Sequence, residues 1–184
     1  INQKWSWDRI LRSCYIKQAD VLQGLYFFED HYDKDTIKRN FDFYEPLTVH
    51  ESSLSPCVHT ILAAKLGYKE QAYELYLRTA RLDLDDYNNE VNQGLHITSM
   101  AGTYLSIVDG FGGMRIKNGE LYFTPFIPPQ WNRYSFIVKF RGKLIKIEVT
   151  KEKTIIYNQH NEKINIIVHG VDYSINANDS LEIR

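Results

Sequence analysis

The 184-residue chain is 43% hydrophobic and 14% aromatic, enough apolar side chain for one good core or two small ones and too much for a disordered segment. Its 22 Lys and Arg and 23 Asp and Glu leave a net charge of −1, and the basic residues are dispersed, which excludes the basic stripe that a nucleic-acid partner requires. Two cysteines, Cys14 and Cys57, exclude a disulfide framework and suit a reducing, cytoplasmic setting with both as packing thiols, and no apolar run reaches membrane-spanning length.

The N-terminus "INQKWSWDRI" has neither signal-peptide order nor an initiator Met, as expected of a fragment. From Ile16 to about Val108 the apolar residues recur at helical spacing, and from Met114 they alternate, so the period predicts two domains, 1–112 and 113–184. "WSWDRILRSCY" reads as an aromatic-basic loop. Helices are predicted over Gln18–Phe28, Lys34–Phe43, Ser53–Leu66, Lys69–Asp83 and Ile97–Asp109, with Gly67, Asn88, Asn89 and Gly94 in short connections. On the third helix Leu54, Val58, Ile61, Leu62 and Lys65 share one stripe, and Ser52, Ser55 and His59 fall on another. "GFGG", Gly110 to Gly113, lacks the Lys and Ser/Thr of a P-loop and reads as a helix end. Beyond it, Asn118-Gly119 and Arg141-Gly142 stand between alternating runs, the signature of two-residue hairpin turns. "TPFIPPQW" is a rigid connection, and "TIIYN", "INIIVHG" and "YSINAN" supply further strands for a small antiparallel sandwich.

Three constellations could carry chemistry. In "FYEPLTVHESSLSPCVHT", Pro56 suits the first turn of a helix and Ser52, Ser53 or Ser55 its cap, and with His50 and His59 they make either an anion site or an ordinary cap. Gly94 and His96 precede a helix whose small residues Ser99, Ala101, Gly102 and Ser106 allow a neighbour to approach closely, so two helix starts could converge on one anion, a place that asks for no nearby carboxylate. Lys17, Gln18, Asp20, Trp5 and Trp7 offer donors, acceptors and aromatic faces for a sugar, unless Asp20 caps a helix and the tryptophans pack in a core. No histidine pair has metal-site spacing, and Tyr73, Tyr76 and Leu77 read as core.

Taken together, "KQADVLQGLYFF", "FYEPLTVHESSLSPCVHTILAAKLG", "YELYLRTARLDLDDYNN" and "GLHITSMAGTYLSIVDGFGGMR" resemble glycoside hydrolase family 65, the group of maltose, trehalose and kojibiose phosphorylases. The "VHESSLSPCVH" form is most similar to the maltose-cleaving members. The resemblance implies that residues 1–112 are the closing helices of an (α/α)6 barrel and 113–184 the C-terminal β-sandwich, with the rest of the barrel and an N-terminal β-domain upstream in a homodimeric protein. It implies cleavage of a disaccharide with inversion, inorganic phosphate attacking the anomeric carbon where a hydrolase uses activated water. Phosphate is then a substrate and no cofactor is needed. By the same resemblance Ser52, Ser53 and His96 bind phosphate and Lys17 and Gln18 contact the glucosyl unit. The general-acid glutamate lies upstream, so no catalytic residue belongs to this segment, Glu45, Glu51 and Glu90 included, and Glu51 is an awkward neighbour for an anion. The alternatives are a trehalose or kojibiose phosphorylase, a related hydrolase with a second carboxylate to activate water, and a noncatalytic carbohydrate-binding module. Against the last, Tyr134 and Tyr157, read as exposed, form no platform for a sugar.

Overall fold

The computed structural model describes residues 4–87 and 89–184; Asn88, one of the connecting residues, lies outside them. The chain forms two compact units, Ile1–Gly110 and Phe111–Arg184. The first is helical: α1 (Trp7–Leu11), α2 (Asp20–Phe27), α3 (Lys34–Tyr44), α4 (Ser55–Leu66), α5 (Lys69–Ala80), α6 (Leu82–Asp85) and α7 (Ile97–Leu105), the last continuing into a π-helical turn, Ser106–Phe111. The helix α1 forms where the sequence reads as a loop, because Ser6 caps it, its Oγ accepting from Arg9 N. Asp33 likewise caps α3 through Thr36 N at 2.6 Å, and Gly67, at φ 88°, closes α4 in the left-handed region.

Around α4 the packing departs from the expected pattern. This helix is surrounded by α2, α3, α5 and α7, and Ser55 to Ala63 are buried without interruption. The two-stripe reading therefore fails: Leu54, assigned to the apolar stripe, is exposed, whereas Ser55 and His59 are buried. A helix covered on every side has no solvent face to keep polar. Its hydroxyls find partners inside: Ser55 Oγ accepts from Ala19 N at 3.1 Å and Thr60 Oγ1 donates to Pro56 O at 2.9 Å. Where α7 crosses, Gly102 lets the chains approach until a Cβ there would lie 2.9 Å from Cys57 Cβ. Ser99 and Ser106 are buried and turn their hydroxyls onto the Thr79 and Gly102 carbonyls, while Ala101 faces outward. Of the two cysteines only Cys57 is packed; Cys14 is exposed. Phe27, Phe28, Phe43, Leu95, Ile97 and Met100 are also exposed, apolar surface of the kind a further part of a fold covers.

The second unit holds two four-stranded sheets. One has the order β1 (Arg115–Lys117), β2 (Glu120–Phe123), β6 (Ile164–Val168), β7 (Val171–Ile175). The other runs β3 (Arg133–Phe140), β4 (Lys143–Thr150), β5 (Thr154–Asn158), β8 (Ser180–Ile183). All pairings are antiparallel except β2 with β6, where Tyr122 lies opposite Ile167 in parallel. The Asn118-Gly119 and Arg141-Gly142 turns form with φ of 51° and 79°, and 50° and 82°, the type I′ geometry expected of them. On β3, Tyr134, Phe136 and Val138 point inward, and Phe136 meets Phe123 of the facing sheet with ring centroids 6.4 Å apart. Tyr134 is thus buried, contrary to the expectation of an exposed ring; its hydroxyl is shared between the Phe111 and Phe126 carbonyls at 2.8 and 2.9 Å.

Candidate functional site

The loop before α2 and the loop before α4 run side by side. Ile16 and Thr48 form a parallel bridge, Ile16 N donating to Leu47 O at 2.9 Å and Val49 N to Ile16 O at 2.8 Å. This ladder sets Lys17 beside Glu51, with Nζ 3.6 Å from Oε2 and 5.4 Å from the Trp7 ring centre. Trp7 Nε1 donates to Glu51 Oε1 at 3.2 Å. Glu51 is therefore occupied by a cation and an indole, which answers why a carboxylate is tolerated next to a serine cluster. Gln18 instead donates to Asp20 Oδ1 at 2.9 Å, and Asp20 does not cap α2, whose N-cap is Ala19. Trp5 lies under the Arg9 guanidinium at 3.8 Å and meets Tyr15 edge-on, ring centroids 6.0 Å apart.

At the entrance to α4 no side chain caps the helix; the N-cap is Leu54 and Pro56 occupies the first turn. Ser52 Oγ accepts from Leu54 N at 3.3 Å. Ser53 Oγ reaches across to Thr98 Oγ1 at 3.2 Å. The start of α4 is thereby joined to the start of α7. Thr98 was not among the expected site residues, because a threonine in a first helical turn carries no signal of its own; only the fold gives it a partner 45 positions away. His96 precedes α7, and Asp83 takes both of its donors: the backbone N reaches Oδ2 at 3.0 Å and Nδ1 lies 2.6 Å from Oδ1. The hydrogen bond from the ring, then that from the backbone, hold the Asp83 carboxyl below the usual range. On the other side Nε2 lies 3.6 Å from Glu90 Oε2. A cavity of about 140 Å³ adjoins, lined by Asp83, Asp86, Glu90, Gly94, Leu95 and His96. The expectation of an anion site free of carboxylates does not hold at His96.

Behind the entrance lies a cluster that sequence spacing conceals. Glu45, His50 and His59 each bring a possible ligand atom to within 4.8 Å of the others; His50 Nε2 lies 3.7 Å from Glu45 Oε1, and among the described residues none of the four imidazole nitrogens has a hydrogen-bond partner. His50 sits in the left-handed region at φ 55°, with its ring 4.6 Å from that of His59. Two imidazoles and a carboxylate suit a zinc-like ion by donor type. The cation present, however, is Arg78, whose guanidinium donates to His50 O at 3.2 Å and interacts with the Glu45 charge; it opposes a second positive charge there.

Burial, then the neighbouring His50 and Arg78, lower the His59 pKa from 6.5 to about 2. The unfolded chain then binds the proton that the folded chain refuses, so the His59 contribution to stability is complete above pH 6.5 and is lost as pH falls towards 2. Stability is expected to drop by about 1.4 kcal/mol per pH unit in that window. Denaturant melts across pH should show a shallower slope in His59→Gln than in the parent; an unchanged slope would place the acid sensitivity elsewhere.

The chain is 54% identical over 167 residues to "Maltose phosphorylase" of Bacillus subtilis (strain 168), covering 91% of this chain and 22% of that protein. It is 44% identical over 162 residues to "Alpha,alpha-trehalose phosphorylase" of Thermoanaerobacter brockii, covering 88% and 21%. A solved structure titled "Putative kojibiose phosphorylase from human microbiome" superimposes with a TM-score of 0.91 at 41% identity, over 98% of this chain and 26% of that one. The chain thus spans about a fifth to a quarter of the length of these proteins. Residues 1–105 match the glycosyl hydrolase family 65 central catalytic domain and residues 114–175 the family's C-terminal domain, and with both matched in order this chain belongs to glycosyl hydrolase family 65.

Proposed function

We propose that this chain is the C-terminal segment of an inverting disaccharide phosphorylase acting on maltose, in which Ser52, Ser53 and His96 hold inorganic phosphate and Lys17 and Gln18 contact the glucosyl unit. The observation that carries the reading is the Ser53–Thr98 contact, which brings the serine-rich entrance of α4 to the helix that His96 precedes. Serine and threonine hydroxyls are donors that a phosphate oxygen takes, and the imidazole Nε2 is an acceptor for the P–OH of hydrogen phosphate. Fixed in place, they hold the nucleophile without reorganisation as its charge moves to the anomeric carbon. The general acid and the remaining sugar contacts belong to the upstream part of the same polypeptide, in a cytoplasmic homodimer. Among the described residues no helix is long and apolar enough to cross a membrane. The names of the maltose and trehalose phosphorylases that this chain is similar to support phosphorolysis over hydrolysis.

The test is steady-state kinetics of the full-length protein. A lost hydrogen bond to a charged ligand costs roughly 1.5–3 kcal/mol, so Ser53→Ala or His96→Ala should lower kcat/KM for phosphate by about 10- to 100-fold and change maltose binding much less. Parallel losses for both substrates with a lower melting temperature would make these residues structural. Glucose release without phosphate, abolished by Glu90→Gln, would favour a hydrolase, since Glu90 is the carboxylate at His96 Nε2.

For a carbohydrate-binding module the second unit offers little. Tyr134 is buried, Tyr157 is half-buried with the Lys146 ammonium 5.1 Å from its ring centre, and Lys143, in the open groove of about 520 Å³, is ion-paired with Glu162 at 2.8 Å.

A further inference from the structure

We infer that Asp83 is the positioning residue for His96, fixing the imidazole so that Nε2 is the nitrogen turned to phosphate; this rests on the proposed role of His96. The two oxygens of Asp83 divide the work. Oδ2 accepts the backbone N–H of His96 at 3.0 Å, setting where the chain enters α7, and Oδ1 meets Nδ1 at 2.6 Å, setting the rotation of the ring. A carboxylate at Nδ1 makes that nitrogen the donor, so the tautomer is chosen and Nε2 keeps its lone pair, free to accept the P–OH of hydrogen phosphate. The same division of roles orients the histidine of a Ser-His-Asp triad.

Asp83 is itself well held. It belongs to the short helix α6, whose Leu82 is buried, and the Arg81 guanidinium bonds both Asp85 oxygens across that turn. Among the described residues, the other charged groups lining the adjoining cavity are Asp86 and Glu90. Asp86 is turned onto the Glu90 and Val91 N–H groups at 2.7 and 3.2 Å. Glu90 stands 3.6 Å from Nε2 and is the carboxylate that a phosphate oxygen would replace there.

The experiment is a double-mutant cycle in the full-length protein, with inorganic phosphate and maltose as the varied substrates. Asp83→Asn should lower kcat/KM for phosphate on the order of 10-fold, with the maltose KM little changed and Asp83→Glu recovering part of the loss. In a His96→Ala background, Asp83→Asn should cost nothing further for phosphate, because it acts through the ring. An additive loss in that background, or equal losses for both substrates in Asp83→Asn and Asp83→Glu alike, would overturn the assignment. If His96→Ala impairs phosphate use and Asp83→Asn does not, Asp83 alone loses its role. If His96→Ala leaves phosphate use intact, the role of His96 falls and this one with it.

Discussion

Gly113→Ala is expected to destabilise the second unit by about 4 kcal/mol, from a left-handed residue forced on an L side chain and from overpacking against backbone. Gly113 has φ 57°. A Cβ there would collide with Thr124 Oγ1 and lie 2.7 Å from the Thr124 carbonyl oxygen. The hydroxyl can rotate away; the carbonyl cannot, because Thr124 N is bonded to Gly112 O in the same crossing. Gly142 is the control. Its φ of 82° is as unfavourable for alanine, yet nothing lies within 4 Å of its would-be Cβ, so Gly142→Ala should cost about 1 kcal/mol. Denaturant unfolding of the two variants separates the terms, and equal midpoints for both would show that the close approach at Gly113 carries no cost.

Asn158→Ala is expected to cost about 3 kcal/mol, because one buried amide serves a whole loop. Its Nδ2 reaches the Glu162 and Asn176 carbonyls at 2.7 and 2.8 Å and, more weakly, that of Ile175 at 3.3 Å, while Oδ1 accepts from His160 N at 3.2 Å. Only 2% of the residue is exposed, so truncation leaves several polar groups short of partners in a place where water enters poorly. Asn158→Asp should be no better, since it sets a negative charge against those carbonyls. Melting temperatures read both variants; an Ala variant within about 0.5 kcal/mol of the parent would mean the loop closes without the amide.

Local chemistry explains what could be read in advance. Asn118-Gly119 and Arg141-Gly142 predict their hairpins because a type I′ turn needs two residues that tolerate positive φ. His169-Gly170 makes the same turn, at φ 50° and 80°, although in the sequence it closes the run INIIVHG, which reads as one strand. The helix predicted over Lys69–Asp83 divides at Arg81, and that division is what turns Asp83 towards His96. Neither local propensity nor period records such a break. Spacing alone puts the serine and histidine of α4 on one face of an amphipathic helix, since a stripe in sequence cannot say how many neighbours the helix has. Ser53 and His96 stood out through residue type and family resemblance, whereas Thr98, Asp83 and the Glu45–His50–His59 cluster depend on which loops the fold sets side by side.

The parallel pairing of β2 with β6 bears on how the second unit reaches its native state. Its tight turns join β1 to β2, β3 to β4, β4 to β5 and β6 to β7, and hairpins of this kind close in roughly 1–10 μs. No turn can bring Tyr122 to Ile167 or Thr154 to Ile183. Those two pairings close long loops whose entropy must be lost before any contact rewards it, and they place the kinetic barrier of the sandwich late in assembly. Until they form, β2, β5 and β6 each present an unpaired edge, so nascent chains are most exposed to intermolecular strand exchange during that interval.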